Sequence, residues 1–116
     1  MQILIVFTHL PDAAGAQALA RLLVEQRLAA CVNILAPCQS VYRWQDKIES
    51  AIEVPLLIKT TSECYGALET AIRAHHPYEL PEIVAVPIER GLPDYLAWVT
   101  AQTTPTAPPT PIGQSC

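Results

Sequence analysis

His75 and His76 stand side by side just before Pro77, and two neutral imidazoles are borderline donors suited to Cu(II) or Zn(II). The objection is geometric. Adjacent side chains on a helix diverge by about 100°, so the pair converges on one ion only where the helix has unwound at Pro77, or where several copies of the chain each contribute. A structural role competes: His75 continues the apolar stripe Tyr65, Leu68, Ile72, and a histidine in a last helical turn is favoured by the helix dipole. A second set of chemistry-bearing residues is Glu53 and Lys59 with the aromatic tip Tyr42 and Trp44. Six positions apart, Glu53 and Lys59 share a strand face, where they would line a polar pocket beside an interface or serve as ordinary solvated charges or an ion pair.

The four cysteines (Cys31, Cys38, Cys64, Cys116) contain no C-x-x-C spacing, so neither a zinc knuckle nor a thioredoxin-type motif is present. Cys31 follows Leu28-Ala29-Ala30 and reads as a small hydrophobe rather than a ligand or nucleophile. There is no P-loop, no G-x-G-x-x-G, no G-x-S-x-G and no H-E-x-x-H, and the residues give no reason to expect an enzyme.

These side chains need a frame. At 116 residues the chain makes one domain. Seven Lys+Arg against eleven Asp+Glu leave a net charge of −4, which argues against nucleic-acid or anionic-membrane partners. No apolar run approaches the ~18 residues of a membrane span. Apolar residues make up 51% and charged ones 16%, an excess that asks for a dense core and a subunit interface. The N-terminus shows no targeting pattern, so the expected location is cytoplasmic.

Ile3 to Phe7 is a continuous apolar run and reads as a strand buried on both faces. Pro11-Asp12 then opens a helix from Ala13 to Leu28, with Ala16, Leu19 and Leu22/Leu23 on one stripe. A strand from Cys31 to Leu35 breaks at Ala36-Pro37 and resumes from Ser40 to Trp44. Beyond the tip Gln45-Asp46, residues Ile48, Ile52, Val54, Leu56 and Ile58 alternate with Glu49, Glu53 and Lys59, which marks a strand with one buried face; Pro55 hints at an edge stretch. Ser62 is the expected N-cap of a second helix reaching His75. A strand over Glu82 to Ile88 and a short helix over Asp94 to Thr100 complete a domain over 1–102. Residues 103–116, with four prolines, four threonines and no charge, form a tail of unassigned role.

The order β-α-β-β-α-β is that of an α+β, ferredoxin-like split β-α-β sandwich. Its hairpin between the second and third strands is too long for the body. A strand of about fourteen residues spans roughly 45 Å, against a radius of gyration of about 13 Å for a domain of this size. The outer hairpin must project or wrap, and pairing with copies of the same chain is the expected way to cover it. A two-residue loop would pair Trp44 with Lys47, and a three-residue loop would pair it with Ile48.

The stretch Arg27-Leu28-Ala29-Ala30-Cys31-Val32-Asn33, the hairpin SVYRWQDKIES, the following EVPLLIKTT, the segment HHPYELPEI from His75 to Ile83, and DYLAWV from Asp94 together resemble the CutA family of divalent-cation tolerance proteins. The resemblance runs in order from about Ile3 to Thr100. It implies a PII-like homotrimer of ferredoxin-like subunits, a role in tolerance to divalent metals, chiefly copper, and no established enzymatic activity. It places copper ligation on His75 and His76. Some relatives add a cysteine near the end of the first strand, where Thr8 stands here, and a hydroxyl is a poorer ligand for soft copper than a thiolate. The likeness to PII proteins implies a second function, a sensor holding a small metabolite in an inter-subunit cleft near Trp44, Glu53, Lys59 and Tyr78, read by a partner protein.

Overall fold

The computed structural model describes residues 2–103. The elements run β1 (Ile3–Leu10), α1 (Ala13–Glu25), β2 (Cys31–Ile34), β3 (Cys38–Trp44), β4 (Lys47–Thr61), α2 (Tyr65–His75), β5 (Val84–Pro87) and α3 (Pro93–Gln102). The sheet order is β2-β4-β1-β5, every pairing is antiparallel, and β3 continues along the outer part of β4. This interleaves two β-α-β halves as expected. The proposed tail lies, apart from Thr103, outside the described residues.

The core follows the two-residue period. Leu4, Val6, Thr8 and Leu10 sit opposite Thr60, Ile58, Leu56 and Val54, and this face meets Ala16, Leu19 and Leu23 of α1 with Leu68 and Ile72 of α2. The other face is covered at one end only, where Val99 of α3 packs on Ile3 and Ala30. Ile5, Phe7 and His9 are therefore only half-buried, and β1 is not closed on both faces by the described residues.

Local chemistry explains the boundaries. The Asp12 carboxylate accepts from Gly15 N at 2.7 Å and caps α1. Three residues before the expected end, α1 stops because Arg27 turns left-handed (φ 59°), while Leu28 N and Ala29 N return to Leu23 O. Ser62 does not cap α2. Its hydroxyl goes to Glu63, Cys64 occupies the cap position, and Thr61 Oγ1 and O receive the Cys64 amide at 3.3 and 3.1 Å. β5 is shorter than expected, and Ile88 N donates to Ile3 O just past its end.

Pro55 is not on an edge: it lies in β4, the strand between β2 and β1. Its carbonyl accepts from Leu35 N at 3.0 Å, so its missing N–H faces the point where β2 breaks off at Ala36-Pro37 and no ladder bond is lost to β1. The hairpin closes with two residues. Trp44 pairs with Lys47, and Gln45 and Asp46 take φ 50° and 65°, as a type I′ turn requires. Among the described residues nothing covers the outer hairpin: Val41, Ile48 and Ile52 share one face and are 67%, 64% and 62% exposed. The longest dimension of the chain is 42 Å, near the length of a fully extended β4.

Candidate functional site

α2 ends at His75 because Pro77 drives His76 into an extended conformation (φ −89°, ψ 133°). The two rings thereby enter different environments. His75 is exposed, and its Nδ1 lies 2.9 Å from Ala71 O. A carbonyl can only accept, so Nδ1 carries the proton and the Nε2 lone pair is open to solvent. His76 is buried. Its Nε2 lies 2.6 Å from His9 O, and its Nδ1 accepts from Tyr78 N at 3.2 Å. The carbonyl on one side and the N–H on the other fix the tautomer with its proton on Nε2.

The sheet makes this arrangement necessary. Odd-numbered residues of β1 turn their carbonyls toward β5, as the Ile88 N to Ile3 O bond shows, but β5 begins at Val84, opposite Phe7. The His9 carbonyl lies beyond the end of that ladder, and the His76 ring supplies the missing donor. His9 and its neighbour Glu82 were not singled out from the residues. The His9 Nδ1 sits 3.5 Å from Glu82 Oε1, and no sequence spacing brings β1 to the segment before β5.

Tyr78 follows with its ring tilted 53° against His76 at a centroid distance of 4.8 Å. Desolvation by burial, followed by the neighbouring buried carboxylate of Glu53, pushes its phenol up to about 12. His9, His76 and Tyr78 thus form one connected chain of contacts beyond the end of β1, and the Glu53 carboxylate at the root of the hairpin acts on the Tyr78 phenol. The other two residues of the expected pocket lie apart. Trp44, opposite Lys47, is six positions along β4 from Glu53, about 20 Å by strand rise. Lys59 is six positions the other way, opposite Cys31, where its ammonium is held by Asn33 Oδ1. A single subunit brings together Glu53 and Tyr78, but not all four residues.

Among the described residues no group of three or more His, Cys, Asp or Glu side chains is arranged to hold a metal ion. Thr8 faces the helices, fully buried, with no hydrogen-bond partner for its hydroxyl, while His9 beside it points to the other face of the sheet. Cys31 is only half-buried, a free thiol 3.9 Å from Asn33 Oδ1 rather than a core residue. A concavity of about 580 Å³ lies between α1 and the edge strand β2, lined by Ala14, Ala18, Arg21, Val24, Val32 and Ile34, and it includes none of these candidate residues.

Residues 4–102 match the model of the CutA1 divalent ion tolerance protein family. The chain belongs to the CutA1 family. It is 43% identical over 99 residues to the divalent-cation tolerance protein CutA of Thermus thermophilus, covering 85% of this chain and 96% of that one. It is 46% identical over 93 residues to mouse protein CutA, covering 80% of this chain but only 52% of that one, so it spans about half the length of that mammalian relative. Two solved CutA structures, from Thermus thermophilus and Xylella fastidiosa, each superpose with a TM-score of 0.86 at 42% and 44% identity. The first covers 87% of this chain and 98% of its own, and the second 89% and 99%. The family is named for tolerance of divalent ions and not for a reaction. Among the described residues no helix is long and apolar enough to cross a membrane, and one CutA relative, from Archaeoglobus fulgidus, is described as periplasmic, so membership does not fix a compartment.

Proposed function

We propose that this CutA1 protein handles divalent cations, copper(II) foremost, as a homotrimer whose ion ligands are His75 and His76. The observation that carries the reading is the form of the two imidazoles. Each donates one ring N–H to a backbone carbonyl, His75 to Ala71 and His76 to His9, which is how metal-ligating histidines are commonly oriented and made more basic. Each is left with one lone pair, Nε2 of His75 open to solvent and Nδ1 of His76 engaged by the Tyr78 amide. The trimer is supported by Val41, Ile48 and Ile52, an apolar face that the described residues of one chain leave bare. Calorimetric titration with Cu(II) and Zn(II) should show binding by the natural protein and none by the His75→Ala/His76→Ala double variant; identical curves would remove these ligands. Light scattering at micromolar concentration should give three times the subunit mass, and a monomer would remove the shared interface.

Glu53 favours a second reading, in which a small metabolite occupies a cleft between copies near Trp44, Glu53, Lys59 and Tyr78. Glu53 is a buried carboxylate at the root of the bare hairpin, beside the Tyr78 phenol whose ionisation it opposes. Native mass spectrometry of protein taken directly from cells should then retain a small molecule, and a consistently empty assembly would count against this role.

A further inference from the structure

We infer that Cys64 and Cys116 form a redox-sensitive disulfide that clasps the C-terminus to the start of α2. Cys64 is disulfide-bonded, whereas Cys31 and Cys38 are free thiols. The chain has four cysteines, so within one chain the partner of Cys64 is Cys116. The surroundings of Cys64 suit such a bond. It is 1% exposed at the N-cap position of α2, where its side chain makes no capping bond, and its Sγ lies 3.2 Å from the carbonyl oxygen of Thr103. Thr103 is itself buried and fixed, since its amide and its hydroxyl both donate to Val99 O, at 3.2 and 2.9 Å. Residues 104–116 therefore set out from a point beside the sulfur. An extended chain of that length reaches roughly 45 Å, far more than a loop back to its own origin needs.

The clasp joins parts of the fold that no strand pairing joins. α2 lies with α1 on one face of the sheet, while Val99 of α3 packs on the opposite face against Ile3 and Ala30. Cys64 opens α2 just past the end of β4, and Thr103 closes α3, so the bond ties the two helix layers at one end of the sheet. The bond forms by thiol–disulfide exchange with a disulfide oxidant of the glutathione disulfide class. The Cys116 thiolate attacks the oxidant and releases one glutathione thiol; the Cys64 thiolate then attacks the Cys116 sulfur and releases the second. Both thiol hydrogens and two electrons pass to the two glutathione sulfurs. Burial sets this order, because the Cys64 sulfur is closed to a molecule of that size. In the reduced chain the Cys64 thiol has the Thr103 carbonyl as its acceptor, so opening the clasp leaves no buried group unmatched.

The test uses the full chain equilibrated with glutathione disulfide, unfolded, alkylated and digested without reductant for mass spectrometry. Cys64 and Cys116 should be recovered only linked to each other, and Cys31 and Cys38 only alkylated or as glutathione adducts. Dithiothreitol should open the link and lower the thermal denaturation midpoint by about 10 °C, as loss of a loop-closing disulfide does in a domain of this size. Cys116→Ser leaves the buried position intact; it should show the lower midpoint from the start and be unmoved by dithiothreitol. Cys64 recovered alkylated, as a glutathione adduct, or joined to Cys31, Cys38 or a second chain would overturn the pairing. A link that forms while its reduction leaves the midpoint unchanged would overturn the clasp, because such a bond fastens nothing.

Discussion

β4 is one strand with two fates. From Val54 to Thr61 it runs between β1 and β2, and Val54, Leu56, Ile58 and Thr60 are buried; from Lys47 to Ile52 it pairs only with β3, and Ile48 and Ile52 stand in solvent. The apolar alternation is the same in both halves. A two-residue period states which side chains share a face, but not what covers that face, because cover is supplied by elements remote in sequence. In the inner half the cover is α1 and α2. In the outer half the described residues supply none, and the proposed trimer would.

Truncation at matched positions separates the halves most sharply. Leu56→Ala removes a side chain with no exposure from the main core and should destabilise by about 3 kcal/mol in denaturant titration. Ile52→Ala, on the same face four residues outward, should cost under about 0.5 kcal/mol in dissociated subunits and more at concentrations where copies associate. Equal losses at both sites under dissociating conditions would show that the outer half is covered within one chain.

Opposite Leu56 stands Thr8, and the inner half is imperfect there. Its hydroxyl is buried without a partner, a desolvation loss that Thr8→Val removes at almost unchanged volume. The variant should be more stable by about 1 kcal/mol, read as a higher denaturation midpoint. An unchanged or lower midpoint would mean that the hydroxyl has found a partner such as water.

How much of this was legible in the residues depends on whether the cause was local. The strand and helix periods, the break at Ala36-Pro37 and the helix start at Pro11-Asp12 rest on near neighbours, and they were readable, although Asp12 serves as the cap and not as a first-turn carboxylate. The hairpin register was not, because Gln45-Asp46 lacks the Asn-Gly signature of a type I′ turn although both residues adopt its left-handed angles. The cap of α2 was misplaced because Cys64, with no side-chain cap bond, stands at the N-cap, and its amide is received by Thr61 at the end of a strand. The tie between His76 and His9 was invisible: it exists only because β5 starts too late to reach His9, a fact of tertiary pairing. The order of the elements alone implied the ferredoxin-like arrangement, and the histidine pair could be named without its tautomers.

The boundary between the two halves can be probed by pH. Tyr78 is held protonated up to about 12, while an unfolded tyrosine ionises near 10. Its contribution is complete below pH 10 and is lost as the pH rises toward 12, because the unfolded chain gives up that proton first. Tyr65 and Tyr95 are also raised by burial and add to the same alkaline decline. Tyr78→Phe should therefore flatten, and not abolish, the fall in stability between pH 10 and 12. A fall as steep as that of the natural protein would mean that the Tyr78 phenol is not held in its buried place in solution.

The smallest effect belongs to the tip. Asp46 holds φ 65°, a conformation that glycine adopts without the Cβ penalty. Aspartate tolerates it better than most residues, so Asp46→Gly gains only the difference and loses part of it to a more flexible unfolded chain. A net stabilisation of about 0.5 kcal/mol is expected where the whole hairpin unfolds with the core. Hydrogen exchange decides whether it does. If the amides of β3 open independently of Val54–Thr61, the substitution should slow exchange in the hairpin alone and leave the global midpoint where it was, because a turn can stabilise only the unit that unfolds with it.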